Sequence, residues 1–327
     1  MILAGDIGGT KTNLALFDHA HGELLMRESR SYASHEFPSL NAVLNAFRGE
    51  CPQEITAAAF GIAGPVVGGH CKLTNLGWEM DAEDLRTDLG NGPVELINDL
   101  QAMSYGTLHL ADNERVVLQE GDAQRHGAVA VIAAGTGLGE GALVWDGRHY
   151  RAIASEGGHS DFSPRNPLEA DLLKFLAATF GHVSWERILS GPGLFSLYEF
   201  HRARSATAEP AWLAEEIRRG DPAAAVSQAG LAGKDRVCVE ALDLFVSLYG
   251  AEAGNLALKF LGTGGVYVGG GIAPKILPQL RSGRFIDSFA GKGRFNSMLR
   301  RIPVSVILND RIALFGAAHV AQVLAAE

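Results

Sequence analysis

Asp6-Ile7-Gly8-Gly9-Thr10 and Asn98-Asp99 carry residue types that fit one chemistry between them. Two glycines after an acid suit a turn in which backbone N–H groups approach a phosphate, with the Thr10 hydroxyl as a further donor. An amide beside a carboxylate at a strand end can hold a hydroxyl and accept its proton. Together the two segments suggest phosphoryl transfer to an alcohol. Each also has a plainer account. Bare Gly-Gly closes ordinary hairpins, and an aspartate between a strand and a helical pattern is a common N-cap. On the pair alone, the cap is the better reading of Asp99. Asp6, two positions before the glycines and able to orient Mg²⁺-bound water, tips the first segment toward a phosphate turn. It is not a Walker A loop, because Thr10 stands where that pattern needs glycine, and the strand-like TNLALFD follows it.

GTGLGEG (135–141) satisfies a loose dinucleotide fingerprint, but that fingerprint needs a helix next. ALVW and an Asp146-Gly147 turn follow instead, which is hairpin sequence. The segment reads as a second phosphate-contacting hairpin at Gly135, Thr136 and Gly137, with Thr136 as hydroxyl donor; a tight turn without a ligand competes. Gly269-Gly270-Gly271 lies between a strand and a Pro-started helix at 274–280, and offers a flat floor for a purine, although such glycines often serve close packing. Glu156-Gly157-Gly158-His159 and Ser184-Trp185-Glu186-Arg187 place carboxylates and an imidazole where directional hydrogen bonds could grip vicinal hydroxyls. His159 has no nearby cysteines for zinc, and no metal-ligating residues are assigned.

These segments need elements to hold them. Short strands are expected at 1–4, 12–18, 55–62, 94–97, 128–134, 142–145, 266–268 and 304–308. Asp18–Gly22 reads as a turn. Helices are expected at 37–47 with Ser39 near the start, and at 100–108, 167–180, 241–261 and 313–326. Residues 205–233, alanine-rich and charged, read as helical and peripheral. No repeat of fixed period appears. The alternation is that of a mixed α/β protein.

At 327 residues two domains around a cleft are the natural expectation. Glycine is over-represented, 40 residues in all, and much of it is clustered where tight turns are needed. The net charge of −9 argues against nucleic acid or an anionic membrane as partner, yet not against a nucleotide held by backbone N–H groups. Three scattered cysteines and an N-terminus without a basic region suggest a reducing, cytoplasmic compartment, and no apolar run suggests a membrane span.

In order, DIGGTK, GIAGPV, LTNLGW, INDLQA, AAGTGLG, EGGHSDF, ERILSGPGL and GGGIAPK resemble the bacterial glucokinase family, from Gly5 to about Ala318. The resemblance implies an α/β, two-domain actin-like (ribonuclease-H-like) ATPase fold with a central cleft. The smaller domain would span 1–109 plus 301–327 and the larger 110–300. It implies Asp99 as catalytic base and Asn98, Glu156, His159 and Glu186 as sugar ligands. Asp6, Gly8, Gly9 and Thr10, then Gly135, Thr136 and Gly137, then Gly269, Gly270 and Gly271 would serve ATP with Mg²⁺. The implied reaction is phosphorylation of glucose at its 6-hydroxyl, and the implied assembly is a homodimer. Thr10-Lys11-Thr12 resembles the repressor–kinase (ROK) sugar kinases instead, but the zinc-binding cysteine cluster of that group is missing, so a ROK repressor is not expected. The rival readings are a broader or different hexose kinase of the same fold, and a sugar-independent actin-like ATPase scaffold.

Overall fold

A computed structural model describes all residues except 21, 22, 74 and 327, with 19 and 20 described by backbone alone. The expected Asp18–Gly22 turn and the threonine of the LTNLGW motif therefore lie partly or wholly outside the described residues. The chain divides into two compact units: Met1–Glu114 with Asp146–Ala154 and Asn309–Glu327, and Arg115–Trp145 with Ser155–Leu308. The sequence expectation put the boundaries at 109/110 and 300/301 and kept 146–154 with the larger domain. That excursion belongs to the first unit, where the Ala152 N–H donates to Tyr105 Oη at 3.0 Å.

The first unit is built on a five-stranded sheet of β1 (Ile2–Ile7), β2 (Lys11–Ala20), β3 (Glu23–Ala33), β4 (Ala57–Ile62) and β5 (Val94–Asn98), in the order β3-β2-β1-β4-β5. β1 pairs antiparallel with β2 and parallel with β4, and β4 pairs parallel with β5. β4 (AAAFGI) is buried at every position, as an interior strand covered on both faces must be. On one face, Leu40, Val43, Leu44 and Phe47 of the helix Leu40–Glu50 pack with Leu3, Ile7 and Phe60. Ser39 caps that helix, its Oγ accepting the Ala42 N–H at 3.3 Å. On the other face, Ala317 and Ala318 of the C-terminal helix Ile312–Ala326 pack with Ala102, Ile2 and Phe17. Two glycines allow the C-terminal helix and Asp99–Gly106 to touch. A Cβ on Gly316 would stand 1.7 Å from the Ala102 carbonyl oxygen, and one on Gly106 would stand 2.2 Å from that of Ile312. β3 was not anticipated. It is an edge strand with mostly polar, partly exposed side chains, so its pattern has no apolar face to announce it.

The second unit repeats the connection plan without a repeat in sequence. Its sheet contains β6 (Arg115–Gln119), β7 (Val129–Ala134), β8 (Leu138–Trp145), β9 (Gly265–Gly269) and β10 (Val304–Ile307). β7 pairs antiparallel with β8 and parallel with β9, as β1 does with β2 and β4. β7 (VAVIAA) is wholly buried. The long helix Arg236–Phe260 crosses the core, and its fully buried Tyr249 ties two strand ends together. The Tyr249 hydroxyl accepts the Ala134 N–H at 3.1 Å and donates to the Gly269 carbonyl at 3.2 Å. Residues 205–233 form helices Ala211–Arg219 and Pro222–Leu231, as expected, but they are not peripheral. Leu213, Val226 and Ala229 belong to the core. Small residues let these helices approach closely: a Cβ on Gly230 would stand 2.8 Å from the Cys238 carbonyl.

Candidate active site

In the first unit, β1 ends at Ile7 and the chain turns over Gly8–Thr10 into β2, the Gly8 N–H donating to the Lys11 carbonyl at 2.9 Å. The turn is held from below by Ser34, whose Oγ donates to the Gly8 carbonyl at 2.8 Å and meets Thr12 Oγ1 at 3.0 Å. Both hydroxyl residues are buried, and the sequence reading missed both. Gly9 and Thr10 are exposed, and a Cβ at Gly9 would meet nothing within 4 Å. Neither Gly8 nor Gly9 has a positive φ, so their value lies in clearance over the turn rather than in backbone freedom. Asp6, one residue before the end of β1, is half-buried, with Asn13 Nδ2 donating to it at 3.3 Å. Burial raises the Asp6 pKa and the Asn13 bond opposes the rise.

At the end of β5 the helix cap is Asn98, not Asp99 as the plainer account had it. Asn98 Oδ1 accepts the Leu100 N–H at 2.9 Å, and Gln101 Oε1 accepts the Asn98 N–H at 3.0 Å, closing a capping box. Asn98 Nδ2 donates to the Gly64 carbonyl at 3.2 Å. Asp99 is the first helical residue. Its Oδ1 accepts the Leu100 N–H at 2.9 Å. Burial pushes the Asp99 carboxyl up to about 6; the Leu100 N–H and the Asn98 side chain oppose this, and the like charge of Asp6 adds to it.

In the second unit, Glu186 lies in a turn against the 135–138 hairpin. The Leu138 N–H donates to Glu186 Oε2 at 3.0 Å, and Glu186 Oε1 stands 3.8 Å from His159 Nδ1. The Glu186 N–H donates to the Gly158 carbonyl at 2.8 Å, and the His159 N–H to the Glu156 carbonyl at 3.0 Å. The fold thus brings Glu156, His159 and Glu186 together around one short turn, Gly157–His159, with Glu156 and His159 exposed and Glu186 partly so. Gly137 leaves room for that carboxylate, since a Cβ there would fall within 2.4 Å of Glu186 Oε2.

The same unit holds a cavity of about 930 Å³, lined by Gly135, Thr136, Gly271, Pro192, Ala223 and Lys275 among others. That volume lies within the range of roughly 300–1,000 Å³ usual for small-molecule sites. Of the glycine triplet only Gly271 faces it. Gly269 ends β9, and Gly270, at φ +81°, would place a Cβ 2.2 Å from the Ala134 carbonyl, so it serves strand packing rather than a purine floor. Asp221, which caps its helix through the Ala223 and Ala224 N–H groups, and Ala223 also line the cavity. The sequence reading assigned no role to that segment, since alanines carry no chemical signature.

Among the described residues no group of three or more His, Cys, Asp or Glu is arranged to hold a metal ion. Asp6 nevertheless suits a cation that arrives with a ligand: it has one side-chain donor and raises its neighbour Asp99 by like charge, which a cation would relieve. One carboxylate with phosphates and waters is a usual Mg²⁺ environment.

A family model for glucokinase matches residues 3–324. A glucokinase from a Nostoc species is 44% identical, covering 97% of this chain and 98% of its own length. One from Cronobacter sakazakii is 37% identical, covering 98% and 97%. Among solved structures, a glucokinase from an Antarctic psychrotroph aligns with TM-score 0.87 at 32% identity, covering 98% of each chain.

Proposed function

This chain belongs to the glucokinase family, and we propose that it performs the family's reaction, transfer of the ATP γ-phosphoryl group to the glucose 6-hydroxyl, with Asp99 as base. The observation that supports the assignment is the division of labour at the end of β5: Asn98 makes the capping box, and Asp99 engages only its Oδ1 with the Leu100 N–H, so the carboxylate is not consumed as the cap. A carboxyl at about 6 is ionised at neutral pH, yet is more basic than an ordinary aspartate. It takes the hydroxyl proton as the oxygen attacks phosphorus. Asn98, Glu156, His159 and Glu186 fix the ring hydroxyls through directional hydrogen bonds. The Gly8–Thr10 turn and the Gly135–Gly137 turn present N–H and hydroxyl donors to the phosphates, where charge spreads in the transition state. The nucleoside occupies the 930 Å³ cavity, with Gly271 leaving it room.

Asp6 is the group that would hold Mg²⁺ through water, and the ion supplies charge neutralisation on the phosphates. The protein acts as a homodimer in the cytoplasm. Three free, buried cysteines suit a reducing compartment, and among the described residues no helix is long and apolar enough to cross a membrane. Light scattering that returns a monomer mass would remove the dimer.

ADP release, measured over a hexose panel with ATP, ADP and polyphosphate as donors, tests the reaction. Release that needs both glucose and ATP is expected. Release indifferent to sugar would support an ATPase scaffold, and a preference for mannose, fructose or an amino sugar would reassign the acceptor.

A further inference from the structure

A buried carboxyl lies beneath the Gly157–His159 turn. Glu140 sits in β8 opposite Ile132 of β7 and is 1% exposed. Its Oε1 has no hydrogen-bond partner, and its Oε2 would stand 2.2 Å from a Cβ on Gly157. Two residues earlier on the same strand, the Leu138 carbonyl would stand 2.1 Å from a Cβ on Gly158, while the Leu138 N–H holds Glu186. The stretch Leu138–Glu140 therefore underlies the whole group formed by Glu156, His159 and Glu186. Only glycines at 157 and 158 let the turn settle onto it.

We propose that Glu140 is a positioning residue of the sugar site, filling the space under Gly157 so that the Glu156–His159 turn and Glu186 are held in one register. This rests on the assignment of Glu156, His159 and Glu186 to the sugar. A buried carboxyl with an unpartnered oxygen can play this part only while it keeps its proton, because ionisation there would strand a charge.

The surrounding groups favour the proton. Glu252 of the helix Arg236–Phe260 is fully buried and accepts from Asn255 Nδ2 at 2.7 Å and Lys259 Nζ at 3.0 Å. Burial first, and then the Glu252 carboxylate, push Glu140 up to about 8, with Lys259 opposing. Lys292, bonded to the Ala251 carbonyl at 2.8 Å, is lowered to about 8, by burial first and with Arg165 and Lys259 adding to the fall while Glu252 and Glu169 oppose it. Arg165 and Glu169 pair with each other at 2.6 Å. Above about pH 8 Glu140 ionises and the turn loses its support, so sugar affinity falls as pH rises.

The test is steady-state kinetics of Glu140→Gln, Glu140→Ala and Glu156→Gln against wild type. Glucose KM and ATP KM are followed from about pH 6.5 to about pH 9, a window that brackets the Glu140 titration. At neutral pH, Glu140→Ala is expected to raise glucose KM about ten-fold with ATP KM within about two-fold, as displaced binding groups do. Glu140→Gln, which keeps the shape and cannot ionise, should rescue that loss. Wild-type glucose KM should climb above pH 8 and the Gln variant should lack that climb, although Lys292 titrates in both. An unchanged glucose KM in Glu140→Ala, or a parallel climb in wild type and Glu140→Gln, overturns the inference. If Glu140→Ala does not fold, the pH comparison of wild type with Glu140→Gln decides alone. A Glu156→Gln variant with normal glucose KM would instead sink the sugar assignment itself. A raised KM there beside wild-type-like Glu140 variants would sink only the positioning role.

Discussion

Asp99 is a carboxylate kept at a cost. Its pKa is raised in the folded chain, so the folded state binds its proton more tightly than the unfolded state does. Stability from this group is therefore intact at acid pH, below the ordinary aspartate value, and is lost as pH rises toward about 6. Asp99→Asn should accordingly stabilise the protein at pH 7.5 by on the order of 2 kcal/mol and much less near pH 4, read by thermal melting. A Tm gain equal at both pH values would contradict the burial account. In catalysis the sign reverses, because the base must be free of its proton: kcat/KM should fall as pH drops through about 6. At Glu186, substitution by Gln should raise glucose KM more than ATP KM, and the opposite split would move Glu186 out of the sugar group. The cap was misread from sequence as Asp99, although Asn98 followed by Gln101 three positions later is a capping-box spacing that hands it to Asn98. Ser34 was not legible, because a serine after an unrecognised edge strand carries no mark of the turn it supports.

Helices and strands set where these side chains stand. The helix that begins at Asp99 is braced by the C-terminal helix at Ala102, where only a glycine at 316 fits. Gly316→Ala, forcing a Cβ into a carbonyl, should destabilise the first unit by about 1–3 kcal/mol, the usual cost of overpacking. The readout is a lowered denaturation midpoint with unchanged slope. Gly271 is the contrasting case, since a Cβ there would meet nothing within 4 Å. Gly271→Leu should fold normally and raise ATP KM several-fold while leaving glucose KM nearly untouched. A normal ATP KM would show that the nucleoside does not use the 930 Å³ cavity. The strands β1, β4 and β7 announced themselves as apolar runs, whereas Glu23–Ala33 did not, and the helices at 211–231 were legible as helices but not as part of the core. Hydrophobic periodicity finds elements that bury a face of large side chains. It is blind to an edge strand, and in alanine-rich helices it does not tell a peripheral position from one in the core beside a cavity.

Across the whole molecule, one connection plan is used twice, a glycine-turned hairpin whose first strand also pairs parallel with a later one. Each hairpin turn becomes a candidate phosphate contact, and each unit adds its own polar group: Asn98 and Asp99 in the first, Glu156, His159 and Glu186 in the second. A net charge of −9 is compatible with a phosphate donor held by backbone N–H groups rather than by a basic surface. The most direct test of this account is glucose-dependent ADP release by Asp99→Ala, with glucose binding measured on the same preparation. The account predicts turnover lower by roughly 10²–10⁴-fold, the range for loss of a general base, while glucose still binds with near-normal affinity. Wild-type-like turnover in a variant that binds glucose normally would contradict it.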